Sequence, residues 1–359
     1  MSAPKAETAN GSRSGGAPIA HGARQLPKVY VEDYSADIRD GEGFFGEKAS
    51  SGVFRDLIDE LRNQWADIED PIATPTERLS KKTIDQLLQE GEPREAALIH
   101  SAVEKFAQNL SSVTSLLMKT RAWQGVKRIA VGGGFRQSRV GELVIGRAEI
   151  LVRGEYDDVE MAPIRHHPDE AGLLGCAHLA PSWIFRAYDC IVAVDIGGSN
   201  FRCGLVELNQ EKAADLTKAR VWKSDLWRHA NEEPDREQAV EKLGDMLREL
   251  ISEGEKKGKT IAPFIGIGCP GTVLENGALE GGTLNLPGDW ASPDFSIVER
   301  VAELIPSIDE HETIVTLHND AVVQGLSELP FMQDVPKWAV LTIGTGLGNA
   351  SFRNRDADA

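Results

Sequence analysis

Apolar residues along this chain recur with two different periods, and the switches between them mark out its elements. Val53, Leu57, Ile58 and Leu61 fall at helical spacing and predict an amphipathic helix from Val53 to Trp65. Ser80 to Leu88 predicts a second, shorter helix, with Ser80 placed to cap it and Gly91 to stop it. Ile99, Val103, Phe106, Leu110, Val113 and Leu117 step by four and three in turn, so one buried stripe runs along a third helix from Arg94 to Lys119. Val240, Leu243, Leu247, Leu250 and Ile251 make Gln238 to Ser252 a core-facing helix closed by Gly254.

Between the helices lie short β-branched apolar runs, several of which end in glycine. Val126 to Phe135 reads as a strand that enters Gly132-Gly-Gly134 and is followed by a helix to about Gly154; Val159 to Arg165 reads as a short strand. Pro168 to Ala180 has the small-residue pattern of a helix packed closely on a neighbour, with Gly172, Gly175 and Ala177 on the approach face, and His166 and His167 ahead of it read as loop or capping residues. Two apolar runs flank Asp195-Ile-Gly-Gly-Ser-Asn200 and predict a hairpin from Ile191 to Leu208. Phe264 to Gly271 is a buried strand entering a Pro-Gly turn that leads to Asn285-Leu-Pro-Gly-Asp-Trp290. Thr313 to Asp320 is a strand ending in two polar side chains before a helix from Ala321, and Trp338 to Gly348 repeats the strand-to-glycine design. Strands interleaved with helices make this an α/β chain.

At 359 residues it has length for two domains or one large α/β unit. The net charge of −17 argues against a nucleic-acid partner, because no basic field opposes a phosphate backbone. Cys176, Cys190, Cys203 and Cys269 stand singly and read as reduced, mostly buried thiols, so no zinc site is expected from them. No apolar run is long enough for a bilayer and the first residues lack a hydrophobic signal core, which predicts a cytoplasmic protein without a membrane partner. Residues 1–17 are rich in Ser, Gly and Ala without periodicity and predict a flexible tail.

The turn at Asp195–Asn200 suits a phosphate. Gly197 and Gly198 admit the backbone to an oxyanion, Ser199 and Asn200 add donors, and Asp195 can hold magnesium through water. Asp-x-Gly-Gly is also an ordinary hairpin turn, and what raises the functional reading is the second glycine turn at Gly344-Thr-Gly-Leu-Gly348. Asp320, at a strand end opening a helix, is either an N-cap or a catalytic carboxylate. Asn285 and Trp290 either contribute to a polar pocket or form a surface loop pinned by the tryptophan.

Five segments in order, Asp195–Asn200, Gly266–Gly271, Asn285–Gly288, Asn319–Ala321 and Gly344–Gly348, resemble the ROK family of sugar kinases and repressors, members of the actin-like, hexokinase-like ATPase superfamily. The first half resembles the same family out of place: Gly132-Gly-Gly134 and the helix Glu170–Gly175 are similar to the adenosine-binding strand and closing helix that the family carries at its C-terminus, and the helices from Val53 to Lys119 to its late helices. The resemblance implies a two-lobed, ribonuclease H-like fold, circularly permuted. It divides the chain into a larger lobe over 18–166 completed by 313–359, with the catalytic strand and second phosphate turn in the latter, and a smaller lobe over 167–312 with the first phosphate hairpin and sugar loop.

The resemblance further implies ATP-dependent, glucokinase- or hexokinase-like phosphorylation of a hexose or N-acetylhexosamine. Asp320 would be the base and Asn319, Asn285 and Gly271 sugar contacts; Asp195 would organise Mg²⁺ through water. Gly197, Gly198, Ser199, Asn200, Gly344, Thr345, Gly346 and Gly348 would hold phosphates, and Gly133 and Gly134 would lie against adenosine. The family's Gly-Glu-x-Gly-His motif and cysteine-rich zinc loop are not recognisable; His21 and Glu32 stand where the permuted order puts remnants and are further sugar contacts on that basis. Partners would be the sugar, ATP and, as an open possibility, a second copy in a homodimer. A non-catalytic sugar or nucleotide sensor and an actin-like assembly protein are the competing readings; neither a helix-turn-helix pattern nor a basic patch supports a repressor.

Overall fold

The computed structural model describes residues 20–36, 39–40, 43–64, 70–136, 138–283 and 285–355. The tail expected over residues 1–17 lies outside them, as does Trp65 at the end of the first predicted helix. The chain opens with β1 (Val29–Tyr34), then α1 (Ser51–Asn63), α2 (Lys81–Glu90) and α3 (Pro93–Lys119). β2 (Arg128–Gly132), α4 (Arg139–Arg153), β3 (Glu160–Pro163) and α5 (Pro168–Gly175) follow. Next come β4 (Cys190–Ile196), β5 (Phe201–Glu207), β6 (Arg220–Trp227), α6 (Arg236–Lys256) and β7 (Ile261–Cys269). The last elements are α7 (Ile297–Leu304), β8 (Ile314–Asn319), α8 (Asp320–Leu326), β9 (Lys337–Ile343) and β10 (Leu347–Asn354).

Local chemistry starts these helices where the sequence places them. The Ser80 hydroxyl accepts from the Thr83 N–H at 3.0 Å, and Glu92 with Glu95 forms a reciprocal cap ahead of Pro93, whose missing N–H costs nothing in the first turn. α7 does not stand out in the sequence, although Ser296 accepts from the Glu299 N–H and Ile297 and Val301 are buried.

Two five-stranded sheets result, ordered β1-β10-β9-β2-β3 and β8-β7-β4-β5-β6. In the second, β4, β5 and β6 run antiparallel in succession, and β7 and β8 add in parallel on the other side of β4. The first sheet has the same winding if counting begins at β9: β9, β10 and β1 antiparallel, then β2 and β3 parallel. Its first two strands therefore stand last in the chain and its other three stand first. That is the circular permutation, and the seam is closed by the Arg355 N–H donating to the Lys28 carbonyl at 2.9 Å.

The domain division expected from the sequence needs one correction. β8 pairs in parallel with β7, so the strand carrying Asn319 belongs to the second sheet and not to the larger lobe with β9 and β10. Its run Val315–Asn319 is buried throughout, as suits a parallel strand covered on both faces. Helices α1 to α4 bury one face of the first sheet through Ile58, Phe106 and Val144; α6 and α7 bury the outer face of the second through Leu243 and Val301. α5 and α8 fill the middle, where Leu173, Ala177, Val322 and Leu326 join the inner faces of both sheets. Five layers follow, helix, sheet, helix, sheet, helix, with the ends of β4, β8 and β9 facing one gap.

Candidate active site

The two glycine turns lie on opposite walls of that gap, a cleft of about 1100 Å³. The turn between β4 and β5 is closed by the Gly197 N–H donating to the Asn200 carbonyl at 2.9 Å, and the turn between β9 and β10 by Gly344 donating to Gly346 at 2.9 Å. His229 Nε2 donates to the Gly197 carbonyl at 2.9 Å, bracing the first turn from a nest of Phe201, Trp227 and Trp290. A Cβ on Gly198 would stand 2.8 Å from the Asn285 Cβ, so a glycine is what lets the 285–288 loop approach the 197–200 turn. Trp290 pins that loop, fully buried with its indole N–H donating to the Pro287 carbonyl at 2.8 Å, while Asn285 itself lines the cleft. Of the pair read from the sequence, Asn285 is therefore at the cleft and Trp290 is the buried pin behind it.

Gly197, Gly198, Ser199, Asn200, Gly344, Thr345, Gly346 and Gly348 line the cleft, together with Gly133, Gly134, Gly271, Asn319 and Asp320. Gly133 has φ +87 and passes so close to Ile343 that a Cβ would meet its carbonyl oxygen at 2.3 Å. That contact sets the 132–134 segment against the second turn. Asn319 caps α8: its Oδ1 accepts from Ala321 at 3.0 Å and Val322 at 3.3 Å, and its Nδ2 donates to the Gly271 carbonyl at 3.0 Å. Asn319 thus takes the capping role, and Asp320, one of whose oxygens accepts from the Ala321 N–H at 2.9 Å, lines the cleft. Burial, with the Asp195 charge adding to it, pushes its pKa up to about 6.

Asp195 sits just behind the lining, with a buried carboxylate whose pKa is raised by desolvation and lowered in part by Arg202, which stands 3.4 Å from Oδ2. Arg202 also pairs with Asp169 of α5. Asp169 thus acts on Asp195 and Asp195 on Asp320, while Arg202 pairs with Asp195 and Asp169 and Lys81 also feels Asp169; the charge gathered around Asp195 fits a divalent ion. Among the described residues no group of three His, Cys, Asp or Glu side chains is placed to hold a metal directly, so a magnesium ion here would rest on Asp195 through water and on the ligand's own oxygens.

Two sequence-derived sugar contacts are not brought to the cleft. Glu32 lies on the outward face of β1, where Val29 and Val31 turn inward and Glu32 pairs with Arg353 at 2.6 Å. Period-two alternation on an edge strand carries it away from the cleft. His21 is spent on the edge of β8: the Leu317 N–H donates to its Nδ1 at 3.3 Å while Gly22 donates to the Leu317 carbonyl at 2.9 Å. Conversely Ser35, Glu47, Arg55, Lys81, Asp169 and Arg202 line the cleft although no motif in the sequence singles them out. Only Arg202 has a readable signal: a hairpin turning at 197–200 sets residue 202 directly across from 195, the register observed.

Gly172 of α5 touches Asp195 so closely that a Cβ would meet its Cγ at 2.7 Å. Gly172→Ala is accordingly expected to displace the carboxylate and lower turnover by about tenfold or more, with a stability loss of about 1–3 kcal/mol typical of overpacking. Parallel measurement of kcat and of the unfolding midpoint checks this; unchanged kcat would mean that the position of Asp195 does not matter.

Two sheets of one winding with glycine turns opposed across a cleft define the two-lobed, actin-like ATPase fold in circularly permuted form. Residues 191–357, just under half of the chain, match the ROK family. Among solved structures the chain is similar to a provisionally named sugar kinase from Cytophaga hutchinsonii, at 21% identity over 46% of this chain and 48% of that one, TM-score 0.35. It is also similar to a protein from Listeria monocytogenes provisionally named an N-acetylmannosamine kinase, at 23% identity over 46% and 47%, TM-score 0.33. An exopolyphosphatase-like protein is similar at 13% identity over 69% of this chain and 86% of its own, TM-score 0.30. The chain spans about half the length of the first two. No curated protein matches. Among the described residues no helix is long and apolar enough to cross a membrane.

Proposed function

We propose that this protein transfers the terminal phosphoryl group of ATP to a hydroxyl of a hexose or N-acetylhexosamine. The observation that carries the reading is Asp320, a cleft-lining carboxylate with its pKa pushed up to about 6, beside Asn319 and between two opposed glycine turns. The sugar hydroxyl would hydrogen-bond Asp320 and attack the γ-phosphorus; its proton passes to the carboxylate as the O–P bond forms and ADP leaves. The N–H groups of the 197–200 and 344–348 turns would hold the phosphate oxygens, and Asn285 and Asn319 would orient the acceptor. Magnesium, if held by Asp195 through water, would supply neutralisation of phosphate charge.

Incubation with Mg-ATP and a panel of hexoses and N-acetylhexosamines, following ADP, tests the proposal. One sugar should raise ADP release well above the sugar-free rate; a flat panel would remove the kinase reading. The sensor reading draws on the absence of His21 and Glu32 from the cleft lining, and calorimetric sugar binding without ADP release would bear it out.

A further inference from the structure

Lys81, the first residue of α2, lines the cleft, and its ammonium donates to the Gly134 carbonyl. Arg55, one turn into α1, lines the same wall. Its guanidinium donates to the carbonyls of Thr76 at 2.6 Å and Leu79 at 2.9 Å, clamping the segment that leads into α2. The first residue of α1, Ser51, donates its N–H to the Gly344 carbonyl at 2.9 Å. One wall therefore runs from the second glycine turn past Arg55 to Lys81 and Gly134.

Both cations on this wall are bonded to neutral carbonyls, and among the described residues neither is in an ion pair. Partial burial against the cleft wall lowers the Lys81 pKa, Asp169 opposes that and Arg55 adds to it. Two neighbouring positive charges in a chain of 39 basic and 56 acidic residues repel each other, and an anion bound between them relieves the repulsion. Ammonium groups bind phosphate as compact point charges.

We propose that Lys81 anchors the donor nucleotide through the phosphate next to the nucleoside, with Arg55 fixing its position. The inference rests on the reading that the donor is an adenine nucleotide bound against Gly133 and Gly134. Lys81 is exposed at a helix start, so its replacement spares the fold.

Titration of the wild type, Lys81→Met and Lys81→Arg with adenosine, AMP, ADP and ATP decides the matter. Lys81→Met should weaken AMP, ADP and ATP alike by about tenfold, the loss of one charge-assisted contact, and leave adenosine unchanged; Lys81→Arg should restore most of the affinity. Equal weakening of adenosine and AMP would make Lys81 merely a support for Gly134 and overturn the inference. So would unchanged affinities in Lys81→Met. A wild type that binds none of the four removes the donor assignment itself, and the inference with it, before any variant is measured.

Discussion

Asp320→Asn is expected to lower sugar-dependent ADP release by about 10²–10⁴-fold while ATP binding survives. Asn319 already satisfies the first turn of α8, and Asp320 receives the Ala321 N–H at 2.9 Å on one oxygen, so the substitution keeps the helix start and removes the proposed base. Only the ionised carboxylate accepts a proton. Activity of the wild type should therefore fall as pH drops through about 6 and level off above it. Stability carries the opposite sign. The folded pKa lies above the ordinary carboxylate value of about 3.9, so the charge costs stability above pH 6, and the cost is gone below about pH 4. An amide at this position never bears that charge, so the variant should melt higher than the wild type at pH 7 and equal it near pH 4. A variant that lost activity and melted lower at pH 7 would assign Asp320 to architecture.

Gly175→Ala is expected to destabilise by about 4 kcal/mol or more, in the range reached only by specific core defects. A Cβ there would stand 1.7 Å from the Val323 carbonyl oxygen and 2.7 Å from its carbon. The obstacle is helix backbone, which cannot swing aside, so α5 and α8 must part and the middle layer opens. Gly146→Ala in α4 is the matched control, with nothing within 4 Å of the new methyl, and should be neutral or stabilise by up to about 1 kcal/mol. Urea unfolding of both variants measures the contrast. Similar midpoints would mean that the α5–α8 contact is slack.

Much of this architecture is legible in the sequence where periodicity is long. The stripe from Ile99 to Leu117 is buried as its spacing requires, and Gly172 and Gly175 do face close neighbours, though only the fold reveals these as Asp195 and Val323. Short or long-range features are harder to read. β1 alternates correctly from Val29 to Val31, yet its partner β10 lies at the other end of the chain, so nothing local identifies the sheet it edges. α7 spans eight residues, too few for its period to stand out despite the Ser296 cap. At Asn319-Asp320 either side chain can cap, and geometry alone separates the cap from the carboxylate left in the cleft. Arg55 and Lys81 are isolated charges on separate helices, and become neighbours only because two helix starts share one wall.

β10 runs from the second glycine turn to Asn354, and β1 returns beside it from Val29 to Tyr34, with Ser35 following at the cleft. At about 3.3 Å per residue, seven steps of extended chain put Asn354 roughly 20 Å from Leu347. A bead, electrode or reporter protein tethered at residue 355 would thus hang at the end of β10 away from the second glycine turn. Immobilised in that orientation, the molecule should keep its opening toward the bulk liquid and exchange small solutes as freely as it does untethered.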